Sequence, residues 1–562
     1  MNWRKLSIAF EKRTRTLRGV MMNRNVKILD CTLRDGGRVI DCAFPQFHID
    51  GIACGLTDAG IDIIELGFLR SGVNHSGNST FFSKIEQARN CVPLNKGNTQ
   101  YVLFADYGEE FGGWDFNNLP QCDGETITGI RLGFRKADFA AARETMHIIQ
   151  NRGYNLILQM IETRNYSDME LVQTLMEMNT IKPKAVGLVD TFGRMYKDDL
   201  QRIYTLADHN LDDEITIDFH SHNNMQLSFS FAQEIVAMSK GKRNVILDAT
   251  LIGMGKGAGN LNTELIVEYL NSRYGYTYDY DRILDTIEEH ILWIKKEHDW
   301  GYSVPSLMSG LFSAHPNNVD YLLRKNRLQI KDIRYILSMI DPETRKRYDY
   351  DNIERIYHKL YSTKYDDTNN LKLLKEIISD RSVLVIVFGA TSRDYSETIV
   401  KHIKENEPIV ISINYIYPDH LPDFVFYGNQ RRYKNKLPYD TNTRCIITSN
   451  INSCDDSDII VDYSKVISVG CPNYDNTTIM LLNLMRNIGV ENITLAGFDG
   501  YSKEISDTYS DKVISHSSPH QKDYEVSNEE LKILLKNFAG SIVNKRSIKF
   551  LTPSRFQTIF RD

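Results

Sequence analysis

The chain has 562 residues, 42% hydrophobic and 25% charged, which is the balance of a globular protein and excludes a fibrous or wholly disordered one. Lys and Arg total 67 against 73 Asp and Glu, a formal net charge of -6, so no global basic field draws nucleic acid. The longest strongly apolar stretch, about 383–388, is far short of the ~20 residues that cross a bilayer, and no membrane partner is expected.

At roughly 150 residues per domain, this length predicts two to four domains. Residues 1–24 carry seven basic side chains against one acid, Glu11, with no apolar core after them. That excludes a signal peptide. The segment is expected to be a disordered arm, or sequence upstream of a start at Met21 or Met22. The cysteines Cys31, Cys42, Cys54, Cys91, Cys122, Cys445, Cys454 and Cys471 are scattered without a C-x-x-C pair. They read as reduced thiols of a cytoplasmic protein.

From Val26 onward, short β-branched runs alternate with longer helical patterns, as in βα units. The runs are 26–31, 61–67, 100–105, 127–133, 155–160, 185–190, 215–219 and 245–249, with helices expected over 139–151 and 169–179. Eight βα repeats in roughly 250 residues is the size of a TIM (β/α)8 barrel. After 271 the pattern turns helical through 281–296, 306–312, 319–325 and 330–339, and 341–371 reads as a helical extension and linker. A second α/β region opens at Ser382 with SVLVIVFGATSRD. Its further strands are expected at 409–413, 423–427, 445–448, 459–461, 466–469 and 492–496, a Rossmann-like domain. The resulting division is a basic extension 1–25, a barrel 26–300, a helical extension 301–378 and a smaller Rossmann-like α/β domain 379–562.

Barrel active sites lie at the carboxyl ends of the strands. The first run ends in DCTLRDGGR, which puts Arg34 and Asp35 at its top. The seventh ends in DFHSHNN, so His220 and His222, two apart on one strand, face the same side. The eighth is followed by GMGKGAGNLNTE, with Asn260 at the end of a glycine-rich loop. In a closed barrel these three strands are neighbours, and the four side chains can converge. A mixed oxygen and nitrogen set suits a catalytic divalent ion, and the lack of thiolates argues against structural zinc.

The motifs DCTLRDGG, IIELGF, VDTFG, HSHNN and GAGN-x-x-TE, in this order, resemble those of the DRE-TIM metallolyases. That superfamily includes 3-hydroxy-3-methylglutaryl-CoA lyase, isopropylmalate synthase and 4-hydroxy-2-oxovalerate aldolase, and the resemblance covers about residues 27–300. It implies that Asp35, His220 and His222 hold a divalent metal, Mn2+ or Mg2+ before Zn2+ or Co2+, with Asn260 as a further ligand. It also implies that Arg34 stabilises an enolate oxygen and that Glu65 positions Arg34. The expected activity is a metal-dependent aldolase or lyase working through the enolate of a pyruvate-like 2-oxo acid, with an aldehyde as partner. An acetyl-CoA-dependent Claisen synthase and an inactive barrel scaffold are the alternatives. The oligomeric state stays open, a homo-oligomer included.

The chain departs from the family at the acid–base group. The synthases read RDGEQ and the oxovalerate aldolases place a histidine where this chain has Arg38. Asp41, His48, His75 and Tyr302 are the remaining proton carriers. Tyr302 lies in WGYSVPSLMSGLFSAHP, a segment similar to that in which the aldolases keep an active-site tyrosine. The RDGG form is also similar to aldolase-type proteins of bacterial surface-polysaccharide gene clusters. Residues 383–403 and the strands after them resemble motility-accessory-factor and sialyltransferase-like folds. This implies a nucleotide or sugar-phosphate site at Gly389, Thr391 and Ser392, rimmed by Asn414, Asn429, Arg431 and Arg432.

Overall fold

The structure, a computed structural model, describes residues 25–73, 77–108, 113–324, 330–347, 349–361, 364–378, 381–434, 443–452, 455–471, 474–504, 507–510 and 524–560. The basic arm 1–24 and His75 lie outside the described residues. The chain divides into two compact units, Met1–Pro316 and Asn317–Asp562.

The first unit contains the strands β1 (Val26–Asp30), β2 (Ile63–Leu69), β3 (Phe81–Phe82), β4 (Gln100–Asp106), β5 (Ile127–Phe134), β6 (Asn155–Met160), β7 (Ala185–Asp190), β8 (Thr216–Ser221) and β9 (Val245–Ala249). They run in the order β1-β9-β8-β7-β6-β5-β4-β2-β3, and β1 also pairs with β2. That last pairing closes eight parallel strands into the expected TIM barrel, with the two-residue β3 an addition to β2. Two strands start later than the hydrophobic pattern suggests, because a turn has already taken the first amide. Ile61 N–H bonds Leu56 O, and Ile215 N–H bonds Asp212 O.

Side chains alternate across each strand, so every second residue points into the barrel. At its amino end the interior is apolar: Leu29, Cys31, Ile63, Val102, Ile157, Ala185 and Ile246 form one buried cluster. Further along the strands the character changes. Glu65, Arg131, Gln159, Asp218 and Asp248 are all buried there. Gly187 makes room for this layer, since a Cβ at that position would lie 2.3 Å from the Gln159 amide nitrogen.

The second unit is built on β10 (Val383–Ile386), β11 (Ile409–Ile413), β12 (Phe424–Tyr427), β13 (Arg444–Thr448), β14 (Ile459–Val461), β15 (Ile493–Ala496) and β16 (Ile548–Phe550). They form a parallel sheet in the order β14-β13-β12-β11-β10-β15-β16. Val383 and Val385 pack in one core with residues of the helices Thr477–Asn487 and Tyr524–Gly540, while Leu384 and Ile386 pack in another with Ile399 and Ile403. Both faces of the sheet are therefore covered, which is why its strands read as continuous apolar runs. The strand expected at 466–469 is absent. Tyr463–Val466 is a helical turn capped by Asp462, and Ser468 N–H bonds Tyr474 O. Among the described residues no helix is long and apolar enough to cross a membrane. The seven described cysteines are all free.

Candidate metal centre

The loop after β1 folds back on its own strand: the amides of Arg34, Asp35 and Gly36 all donate to Cys31 O. This holds the Asp35 carboxylate over the barrel mouth. The end of β8 is tied to the glycine-rich loop by a bridge between His222 and Asn260 and by Asn223 N–H donating to Gly259 O at 2.8 Å. Asp35, His220 and His222 consequently offer ligand atoms within 4.8 Å of one another. His220 Nε2 and His222 Nδ1 each lie 3.9 Å from Asp35 Oδ2. That is too long for a hydrogen bond. Donors that share one cation at about 2.1 Å stand roughly 3–4 Å apart, so the spacing fits common ligands.

Asn260 completes the set. Its Nδ2 donates to Asp35 Oδ2 at 2.9 Å and to Met254 O at 3.1 Å, while its buried Oδ1 has no hydrogen-bond partner. A buried acceptor left unmade is costly, and a cation beside it removes that cost. A second group, Cys31 with His220 and Asp248, is also close enough to bind an ion. Its carboxylate is committed elsewhere, to Arg131 and His220 Nδ1. Burial also pushes the Cys31 thiol well up, away from the thiolate a metal needs.

The electrostatics below the site come from the charged interior layer. Arg34 Nε donates to Glu65 Oε2 at 2.5 Å and Arg34 NH1 to Asp35 Oδ1 at 2.8 Å. Arg131 joins Glu65 at 3.1 Å, Asp218 at 2.7 Å and Asp248 at 2.5 Å, and Asp248 in turn accepts from His220 Nδ1 at 2.9 Å. One chain of ion pairs thus runs from Asp35 through the barrel interior to His220. Burial alone would raise the Asp35 pKa, but Arg34, the two imidazoles and Arg38 hold it well below the usual carboxylate range. Burial lowers His220 and His222 to about 4 against the pull of Asp35, so both imidazoles are neutral at pH 7, the form that can ligate a metal. Burial and its neighbour Asp248 raise Asp218 to about 7.

The comparisons with known proteins fall on this half of the molecule. An HMGL-like family model matches residues 131–288. A 4-hydroxy-2-oxovalerate aldolase of Geobacillus genomosp. 3 is 26% identical over 271 residues, covering 48% of this chain and 77% of that protein. An oxaloacetate decarboxylase of Mycobacterium tuberculosis is 25% identical over 280 residues, covering 47% and 76%. The barrel's sequence is thus similar to those of the DRE-TIM metallolyases. Among solved structures, the HMG-CoA lyase of Brucella melitensis matches with a TM-score of 0.37 at 16% identity, over 47% of this chain and 96% of that one.

Within this barrel the structure brings Arg34, Asp35, Glu65, His220, His222 and Asn260 together. It leaves other candidates apart. His48 packs outside, its Nδ1 3.2 Å from that of His290 and its ring stacked on Trp293. Asp41 is an exposed residue with φ 49° at the end of the loop. Tyr302 is 54% exposed, just before the Ser303 cap of the helix Val304–Phe312. Arg131, Gln159, Asp218 and Asp248 were not singled out from the sequence; their signal is a polar residue in mid-strand of an otherwise apolar run. His315 was also missed. Burial, then Lys256 and Arg38, lower its pKa to about 4, so a neutral imidazole lies within reach of the charges on the RDGGR and glycine-rich loops.

In the second unit the turn after β10 is already filled. Thr391 N–H donates to Asp499 Oδ2 at 2.7 Å, its hydroxyl also bonds that carboxylate, and Ser392 Oγ donates to Gly389 O. A phosphate is thus disfavoured at the position the sequence suggested, because the protein's own anion occupies it. Beside the turn, a cavity of about 200 Å³ includes Asn414, Tyr415, Asn429 and Arg432 in its lining. The Asn414 Oδ1 in it is buried without a hydrogen bond.

Proposed function

We propose that the barrel is a divalent-metal-dependent aldolase that makes or breaks a carbon–carbon bond through the enolate of a pyruvate-like 2-oxo acid, with an aldehyde as second substrate. The observation that carries this reading is the Asp35, His220 and His222 cluster beside the unbonded Asn260 Oδ1. Those four residues would hold the cation. Carboxylate, carboxamide and imidazole together suit Mn2+ or Mg2+. When bound, the cation supplies Lewis-acid polarisation of the 2-oxo group.

The chain's own residues account for the remainder. Arg34 sets a fixed positive charge where enolate charge develops, and its bonds to Glu65 and Asp35 prevent it from swinging away. A preorganised donor of this kind is worth roughly 3–4 kcal/mol of barrier. These bonds use Nε and NH1, so the NH2 group is left for substrate. His315, neutral at pH 7 beside Lys256 and Arg38, is assigned the proton next to the carbonyl.

The test is deuterium exchange into the methyl group of pyruvate by the Mn2+-loaded full chain. His220→Ala should lose both metal retention and exchange. Exchange at the wild-type rate in that variant overturns the mechanism.

For the second unit, we propose a nucleotide or sugar-phosphate site limited to the Asn414–Arg432 side of its cavity. It lies at the carboxyl ends of strands where the order reverses between β10 and β15, the usual ligand position in such sheets. Calorimetry with UMP, CMP and ribose 5-phosphate on wild type and Arg432→Met tests it. Equal heats in the two proteins reject the site.

A further inference from the structure

Cationic side chains gather above the metal centre that the enolate mechanism does not use. Arg38, where the aldolases carry a histidine, lies in the RDGGR loop with Nε 3.5 Å from Asp35 Oδ1. Its side chain is 46% exposed, so it reaches past the metal ligands towards the barrel opening. Its guanidinium lies over the Phe68 ring at 4.9 Å, on the aromatic residue that also carries Arg34 at 5.7 Å. Phe68 contacts Phe81 at 5.4 Å, and Phe81 carries Arg70 at 5.1 Å. Arg70 follows directly on the last residue of β2, and Phe81 begins the short β3 beside it. Two guanidinium groups are thus supported on adjoining rings at the carboxyl ends of the strands, the end where barrel active sites lie.

Asp35 meets Arg38 through Nε alone, so the local carboxylates do not account for both guanidinium groups. Asp106, the last residue of β4, feels Arg38, Arg34, Arg135 and Arg70, yet burial still raises its pKa above the ordinary value. A carboxylate kept purely as a structural partner for several arginines would be expected to fall. Stacking on a ring fixes a guanidinium plane and leaves its edge N–H groups for a planar or tetrahedral anion, which arginine grips in bidentate fashion. A histidine at position 38 could take a proton; an arginine cannot, because it stays charged at any working pH.

We infer that the aldehyde partner of this barrel carries an anionic group of its own, a phosphate or a carboxylate, gripped at the mouth by Arg38 and Arg70. The inference rests on the enolate reading above for the identity of the first substrate. Arg34 and the cation hold the 2-oxo acid, while Arg38 and Arg70 hold the far end of the second substrate and align its carbonyl with the enolate carbon. Arg38 makes the link between the two halves, since it touches the Asp35 side of the metal centre and the aromatic support of the outer site.

The Mn2+-loaded full chain is assayed for addition of pyruvate to glycolaldehyde phosphate, succinic semialdehyde and glycolaldehyde. Deuterium exchange into pyruvate is run alongside. An anionic aldehyde should exceed glycolaldehyde in kcat/KM by about tenfold or more, through KM. Phosphate is the source if glycolaldehyde phosphate leads, carboxylate if succinic semialdehyde does. Arg38→Met and Arg70→Met should each collapse that ratio, and Arg38→Lys should restore part of it. Exchange with no preference for either anionic aldehyde overturns this inference and leaves the enolate reading standing. A preference that survives in both Met variants overturns it as well. Loss of exchange in the wild type instead overturns the enolate reading. In that event calorimetry of glycolaldehyde phosphate on the metal-free full chain decides the mouth site. Heat lost in both Met variants supports it, and equal heats reject it.

Discussion

His220 Nδ1–H donates to Asp248 Oδ2 at 2.9 Å, and this bond turns Nε2 towards the Asp35 carboxylate. The carboxylate fixes the tautomer of the ligand and the orientation of its ring. Asp248 is in turn held by Arg131, which has no solvent exposure, so the orientation of this candidate ligand is set from deep within the barrel. Asp248→Asn keeps the size and loses the charge. Metal affinity should fall by roughly 10- to 100-fold, the usual cost of removing such a partner. Competition against a fluorescent chelator measures it, and an unchanged affinity would show that Asp248 does not orient His220.

Glu65 is the joint of the ion-pair chain, accepting from Arg34 on one oxygen and facing Arg131 with the other. Removing one partner of a buried pair leaves an uncompensated charge, at about 3–5 kcal/mol. Here Arg34 and Arg131 each lose one of their carboxylate partners together. Glu65→Ala should therefore lower unfolding stability by at least that amount, and Glu65→Gln by less, since its amide oxygen still accepts. Urea titration of the full chain separates the two. Equal midpoints for both variants would sink the account.

Gly259 adopts φ 74°, and a Cβ there would lie 2.0 Å from Gly253 O. Gly259→Ala must strain the loop or move it, and left-handed strain costs on the order of 1–3 kcal/mol. The adjacent Asn260 depends on that loop for its position against Asp35. The expected outcome is weaker metal binding with a smaller change in overall stability. A variant that binds metal as the wild type does would show that Asn260 is placed by other contacts.

His315 gives a pH dependence with a definite sign. Its folded pKa is lowered to about 4 by burial, Lys256 and Arg38. The unfolded value is about 6.5. Between those values the unfolded chain binds a proton that the folded chain does not. The contribution of this group is therefore fully present above about pH 6.5 and is lost as the pH falls towards 4. Wild type should lose about 2 kcal/mol more than His315→Asn between pH 7 and 4.5. Parallel urea titrations at the two pH values check this, and identical pH slopes would refute it.

How much could be read from the chain follows from which signals are local. Short β-branched runs separated by helical stretches marked the eight barrel strands to within a few residues, because strand and helix alternate within each βα unit. Arg34, Asp35, His220, His222 and Asn260 were legible for the same reason, since each closes a strand or opens its loop. The 466–469 run was misread because its apolar spacing also fits a helical turn, and the Asp462 side chain decides in favour of the turn.

By itself the sequence determined a closed βα barrel with a polar carboxyl-terminal rim, and a second α/β unit after it. Only the tertiary structure decided that Asp35 and His220 are linked through Arg34, Glu65, Arg131 and Asp248. These residues come from five different strands or their loops, and no spacing along the chain encodes which interior positions share a layer. Barrel closure sets that by the stagger of the strands. Burial then makes each charge depend on its neighbours, because a lone ion cannot pay its desolvation inside the barrel. The same closure places Arg38 and Arg70 on adjoining rings, where one lies in the β1 loop and the other at the end of β2.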